Sequence, residues 1–243
     1  MVINMKNYKY ILFDLDDTLI DNFESYRYGY MKIIENLNIK YADKDFNNFY
    51  EFDKIFWTNY ENNKITVPKE YTTSKELIAK YLRGLKLMLY FNISLEKAFE
   101  ISEIFLANLG GRIIPIKGAY ETLEYLHKKY NLVIASNGPS AAIKEKLEKI
   151  NCYEFFKHIF SADMTRNVSS KPNKEFFIEL LNHINYYDNS KILMVGDSLF
   201  NDVKGGMNSE IDTCWLNHNN EQLQAEYNPT MIINDLMTLT KKL

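Results

Sequence analysis

The residues best suited to chemistry begin directly after the apolar run Tyr10-Ile11-Leu12-Phe13, in Phe13-Asp14-Leu15-Asp16-Asp17-Thr18-Leu19. In an extended segment, residues two apart point the same way, so Asp14 and Asp16 can both reach one site. Two carboxylates converging at the end of a buried strand repel each other, and a cation relieves that repulsion. Hard oxygen ligands of this kind suit Mg²⁺. Taken alone, the same acidic residues also fit a plain strand end and turn.

Other apolar runs end in equally polar residues. Leu132-Val133-Ile134-Ala135 leads into Ser136-Asn137, offering a hydroxyl and an amide. Ile192-Leu193-Met194-Val195 leads through Gly196 to Asp197-Ser198, with Asp202 five residues beyond Asp197. Lys171, in Ser169-Ser170-Lys171-Pro172-Asn173, precedes a helix expected to open at Pro172 or just after it, where Pro is favoured in the first turn. In open α/β sheets, ligands bind outside the carboxyl ends of the strands. A hydroxyl, an ammonium and the carboxylates of Asp14, Asp16, Asp197 and Asp202 at those ends make a site for a metal and a phosphate.

The elements that must carry these residues follow from the pattern of apolar runs. Continuously apolar strands imply a sheet covered on both faces, as parallel sheets are. Thr213-Cys214-Trp215-Leu216 and Met231-Ile232-Ile233 add two short strands. Between them, Thr122, Leu123, Leu126 and Tyr130 repeat at helical spacing, as do Ile143, Leu147 and Ile150, and Phe176, Phe177, Leu180 and Leu181. Strands alternating with helices predict an α/β, doubly wound, Rossmann-like parallel sheet. Residues 21–112 read differently: they are rich in Tyr, Phe, Lys and Asn, with helix starts expected at Asn22 and Ser94 and a helix stop at Gly110-Gly111. The expected organisation is an α/β core of residues 1–20 and 113–243, interrupted by a helical cap of residues 21–112.

At this point the chain resembles a known family. Asp14-x-Asp16-x-Thr18, Ser136, Lys171-Pro172 and Gly196-Asp197-x4-Asp202 match the four motifs of the haloacid dehalogenase superfamily, whose members are mostly phosphatases. The helical insertion resembles the subfamily I cap. The resemblance implies Asp14 as nucleophile and Asp16 as general acid/base. It implies Mg²⁺ held by the Asp14 carboxylate, the Asp16 backbone carbonyl and Asp197, with Thr18, Ser198 and Asp202 in support. It implies Ser136, Asn137 and Lys171 at the phosphoryl oxygens. Phe56-Trp57-Thr58-Asn59-Tyr60-Glu61-Asn62, Gly205-Gly206-Met207-Asn208 and Thr213-Cys214-Trp215-Leu216-Asn217 are similar to the pyrimidine 5′-nucleotidase branch. Trp57 and Tyr60 either stack on a base or pack within the protein. Before Lys171, Asn167-Val168-Ser169-Ser170 departs from the family, which often carries Gly there. The expected activity is a Mg²⁺-dependent phosphomonoesterase acting through an aspartyl-phosphate, on a small phosphorylated metabolite such as a pyrimidine nucleoside monophosphate. The alternatives are a phosphosugar or sugar-acid phosphatase or phosphomutase, a 2-haloacid dehalogenase, and an inactive binding module.

Composition narrows the field further. Of 243 residues, 29 are basic and 32 acidic, a net charge of −3, so there is no electrostatic footprint for a nucleic-acid polymer. No apolar stretch approaches the ~20 residues of a membrane helix, and residues 1–10 lack the apolar block of a signal peptide. Cys152 and Cys214 are too few for a disulfide framework and fit a reducing cytoplasm. His127, His158, His183 and His218 show no ligand spacing and read as structural or surface residues. Gly205-Gly206 reads as a close backbone approach rather than a phosphate cradle, and Lys241-Lys242 as a solvated chain end. Oligomeric state is left open.

Overall fold

The computed structural model describes residues 7–61, 64–109, 111–166 and 169–243. Readings that fell on residues 1–6, Asn62, Gly110, Asn167 and Val168 lie outside the described residues. The chain divides into two compact units, one of residues 1–22 and 113–243, the other of residues 23–112.

The first unit is a six-stranded, all-parallel sheet in the order β3-β2-β1-β4-β5-β6. Its strands are β1 (Tyr10–Phe13), β2 (Asn131–Ser136), β3 (Phe156–Ser161), β4 (Ile192–Gly196), β5 (Asp212–Leu216) and β6 (Met231–Ile233). β1 is central: Tyr10 stands in register with Asn131 of β2 and with Ile192 of β4. Alternation along β1 divides the core in two. Ile11 and Phe13 face one layer with Leu123, Leu126, Ile143, Leu147 and Leu239. Tyr10 and Leu12 face the other with Phe176, Phe177 and Leu180. Burial on both sides is why these strands are continuously apolar.

The second unit carries helices and, among its described residues, no strand. Its helices are α1 (Asn22–Asn36), α2 (Asp43–Glu61), α3 (Lys75–Phe91) and α4 (Leu95–Leu109). Ser74 and Ser94 cap α3 and α4, their hydroxyls accepting from the amides of Leu77 and Lys97. Tyr30, Ile33, Phe46, Phe49, Leu87, Ile101 and Phe105 form its core. Lys86 is buried there, paired with the buried Asp53 and ringed by Tyr26, Phe49, Trp57 and Phe105. Trp57 is half-buried, with its ring edge-on to Phe56 and Tyr60.

The sheet is flanked by α5 (Ala119–Leu126), α6 (Ser140–Lys149), α7 (Lys174–His183), the short α8 (Gly205–Asn208) and α9 (Thr238–Lys242). Three sequence readings need correction. β3 adds a strand that no continuous apolar run marks, because Lys157 is exposed and His158 half-buried at this edge of the sheet. α7 opens at Lys174 with Asn173 in the capping position, so Pro172 lies in the preceding loop, not in the first turn. His158 and His183 are not scattered but meet, with ring centroids 5.6 Å apart.

Candidate active site

The strand order places the reversal of winding at β1, whose neighbours β2 and β4 lie on opposite sides. Ligand sites in doubly wound sheets form at the carboxyl ends of the strands beside such a switch point. Asp14 follows β1 there, and its amide donates to the Val195 carbonyl of β4 at 2.9 Å. Beyond it the chain folds into a tight turn in which Leu15, Leu19 and Ile20 are fully buried. The Leu15 carbonyl accepts from the amides of Leu19 and Ile20, and Asp17 takes a left-handed φ of 60°. Leu15 therefore points into the core while Asp14 and Asp16 flank it on the open side.

Lys171 stands at the centre of the site. It is only 3% exposed, and its Nζ donates to Asp14 Oδ1 and to Asp202 Oδ1, both at 2.7 Å. Both polar atoms of the Asn137 side chain clasp its backbone. Oδ1 accepts from the Lys171 amide at 2.8 Å, and Nδ2 donates to the Lys171 carbonyl at 3.1 Å. That is a different use from the phosphoryl contact expected of Asn137. Ser136 is buried, and its hydroxyl accepts from the Gly138 amide at 3.1 Å, closing the turn after β2.

On the β4 side, Thr18 and Asp197 interlock. Thr18 Oγ1 donates to Asp197 Oδ1 at 3.2 Å and accepts from the Asp197 amide at 3.1 Å. Ser198 caps a wide π-helical turn, Leu199–Lys204, by accepting from the Asn201 amide, while its own amide donates to Asp202 Oδ2 at 3.0 Å. The turn folds Asp202 back under the strand. A Cβ on Gly196 would stand 2.1 Å from Asp202 Oδ2, so no side chain fits at that position. Gly205 and Gly206 are likewise matters of space: a Cβ would meet the Phe177 ring at 2.7 Å or Thr213 Cγ2 at 2.3 Å.

Ligand atoms of Asp14, Asp197 and Asp202 lie within 4.8 Å of one another, the one such acidic group of three or more among the described residues. Burial pushes the Asp14 carboxyl up to about 7; Lys171 opposes this and Asp202 adds to it. Asp197 is also pushed up, first by burial and then by Asp202 and Asp14. Burial works against the Lys171 ammonium, but Asp14 and Asp202 outweigh it and hold the lysine charged. Asp14 and Asp202 thus share one buried ammonium, with the carboxylate of Asp197 close to both.

Three contacts lie outside the sequence motifs. Lys146 of α6 donates to Asp16 Oδ1 at 2.5 Å. The buried Trp215 of β5 donates its indole N–H to the Asp197 carbonyl at 2.8 Å. The His218 ring hydrogen-bonds the Asp17 backbone. Trp215 sat in a segment noted for its resemblance, but nothing in the sequence shows where its indole points.

The profile of the haloacid dehalogenase-like hydrolase family matches residues 11–216, from β1 through β5. The chain belongs to the haloacid dehalogenase-like hydrolases. This hydrolase is 28% identical over 240 residues to the HAD-hydrolase YfnB of Bacillus subtilis, covering 97% of this chain and 95% of that protein. The crystal structure of YfnB bound to magnesium superposes with a TM-score of 0.84 at 26% identity, over 97% and 98% of the two chains. Pyrimidine 5′-nucleotidase YjjG of Escherichia coli is 27% identical over 234 residues, 96% of this chain and 97% of that one. Glyceraldehyde 3-phosphate phosphatase of Pyrococcus furiosus is 28% identical over 225 residues, covering 92% and 87%. No helix among the described residues is long and apolar enough to cross a membrane.

Proposed function

We propose that this phosphoric monoester hydrolase is Mg²⁺-dependent, works through an aspartyl-phosphate on Asp14, and acts on pyrimidine nucleoside 5′-monophosphates. The observation that carries the mechanism is Lys171, sealed between Asp14 and Asp202 with Asp197 alongside. Three carboxylates against one ammonium leave a buried excess of negative charge. A cation sharing the site would offset that excess and keep the carboxylates ionised, and an all-oxygen donor set suits Mg²⁺. Asp14, Asp197 and the Asp16 carbonyl would hold the ion, with Asp202 acting through Lys171. Bound there, Mg²⁺ offsets the charge of the phosphoryl group that Asp14 must approach.

The side chains supply the rest. Lys171 favours the ionised Asp14, the form that attacks phosphorus. The new bond joins an Asp14 oxygen to phosphorus, and the bond to the leaving alkoxide breaks as Asp16 delivers a proton to it. Water then attacks the phosphorus of the aspartyl-phosphate and gives its proton to Asp16, which frees Asp14 and inorganic phosphate. Ser136 presents a hydroxyl to the phosphoryl oxygens, and Asn137 keeps Lys171 in place by holding its backbone. Positioning and electrostatics carry most of phosphoryl-transfer catalysis, which suits a site built from clamped charges.

Two full-length nucleotidase relatives and the similar segments Gly205–Asn208 and 213–217 support the substrate class. The triose phosphatase relatives favour glyceraldehyde 3-phosphate as a second reading. Phosphate release from dUMP and dTMP, beside glyceraldehyde 3-phosphate and sugar phosphates, separates them. The nucleotides are expected to have the highest kcat/KM, with activity lost in EDTA and restored by Mg²⁺. A preference for the triose phosphate would replace the nucleotide reading, and full activity in EDTA would remove the metal.

A further inference from the structure

Lys146 is placed by the fold to act on Asp16. Its helix, α6, carries three lysines within six residues, and two are paired along the helix: Lys144 with Glu148, and Lys149 with Glu145. Lys146 has Ala142, Ile143, Lys149 and Ile150 at those spacings and so has no acidic neighbour on its own helix. Its ammonium instead reaches Asp16, 130 residues away in sequence, at 2.5 Å.

α6 is a firm support for that reach. Ile143 and Leu147 anchor it in the core. At its start, the amide and hydroxyl of Ser140 donate to Asp163 Oδ2 at 3.0 and 3.1 Å. Helix side chains lean toward the N-terminus, and that is the end of α6 that follows the loop 136–138. Lys146 takes Asp16 Oδ1, while Oδ2 lies toward that same loop, 4.0 Å from where a Cβ on Gly138 would stand. The two carboxyl oxygens therefore have different surroundings: one is tied to a lysine, and the other faces the Ser136 turn. The pair is also only partly exposed, 19% for Lys146 and 33% for Asp16, so neither group is simply a solvated surface charge.

We propose that Lys146 is a positioning residue for Asp16. It fixes the carboxyl through Oδ1, so that Oδ2 carries the proton out to the leaving alkoxide and takes one back from water. This rests on the general acid/base reading of Asp16 given above. A mere structural staple between α6 and the Asp16 turn would lower all activity alike, whereas a role through the acid depends on the leaving group. An alkyl monoester needs its departing oxygen protonated; 4-nitrophenyl phosphate does not. The parameter to compare is kcat/KM, which reports steps only up to the departure of the leaving group and excludes hydrolysis of the aspartyl-phosphate.

The test uses the full chain with Mg²⁺, as wild type, Lys146→Met and Lys146→Arg, on dUMP and on 4-nitrophenyl phosphate. Misplacing a catalytic group by about 1 Å can cost roughly 10²-fold. Lys146→Met is therefore expected to lower kcat/KM for dUMP at least about tenfold more than for 4-nitrophenyl phosphate, with Lys146→Arg restoring most of the loss. Equal losses on both substrates, or no loss on either, would overturn the proposal. If Lys146→Met fails to fold, Lys146→Gln is read by the same ratio. An Asp16→Asn variant that loses no more on dUMP than on 4-nitrophenyl phosphate would overturn the acid/base reading itself, and the role of Lys146 with it.

Discussion

Lys171 is the only cation among the described residues that touches Asp14 and Asp202 together, and it does so with almost no access to water. Removing one partner from a buried ionic group leaves uncompensated charge, which costs roughly 3–5 kcal/mol where it has been measured. Lys171→Met is therefore expected to lower the unfolding free energy of the ion-free protein by about that amount, measured by urea denaturation. Its kcat should fall roughly 10²–10³-fold or more, because the charge beside Asp14, proposed also to meet the phosphoryl oxygens, is gone. A Lys171→Met variant as stable and as active as wild type would show that the three carboxylates do not depend on it. Asn137 illustrates what a sequence does not disclose at this scale. Its residue type and place next to Ser136 suggested a contact with phosphate, yet its amide is used on the Lys171 backbone. A contact with phosphate would draw only on its N–H donors, whereas the clasp on Lys171 uses Oδ1 as well as Nδ2, and residue type does not tell one from the other.

At the scale of elements, the site depends on how two strand-end loops are held. The loop after β4 is fixed from below by Asp202 folded under Gly196, and from the side by Thr18 and by the Trp215 indole of β5. Trp215→Phe leaves a small cavity where the second indole ring was and strips the Asp197 carbonyl of its donor. An unsatisfied buried carbonyl costs about 1–3 kcal/mol, so the variant should lose that much stability in urea. Calorimetric titration should also show weaker Mg²⁺ binding, since the carbonyl belongs to Asp197 itself. Unchanged stability and unchanged Mg²⁺ affinity would mean that the indole contact does nothing for the loop. The strands that carry these loops were legible because a doubly covered strand must be continuously apolar, and β1, β2, β4 and β5 stand out for that reason. Of the two edge strands, β6 is still a short apolar run although Ile232 is exposed, whereas Lys157 and His158 interrupt the apolar residues of β3. Gly205 and Gly206 were legible as a close approach, though not what they approach: a phenylalanine ring on one side and a threonine methyl on the other.

Across the whole molecule, sequence order and spatial order part company, and this decides what a linear reading can reach. Thr18 and Asp197 meet although 179 positions separate them, because β1 and β4 are neighbours in the sheet. The gathering of Asp14, Lys171, Asp197 and Asp202 could be anticipated, since each follows or lies near a strand end and ligands collect at those ends. Lys146, Trp215 and His218 could not, because their contacts depend on helix rotation and side-chain direction rather than on any local pattern. The helical unit shows the same limit from another side. Its aromatic composition is plain in the sequence, but the enclosure of Lys86 by Tyr26, Phe49, Trp57 and Phe105 is a property of packing alone. The mechanism requires that Asp14 become phosphorylated during turnover. Its most direct test is to quench the enzyme in acid during turnover of dUMP with Mg²⁺, reduce the acyl phosphate with borohydride, and map the product by peptide mass spectrometry. Homoserine is expected at position 14 in the wild type and none in Asp14→Asn, which should be folded and inactive. Turnover with no acyl phosphate, or with the modified residue at another position, would contradict it.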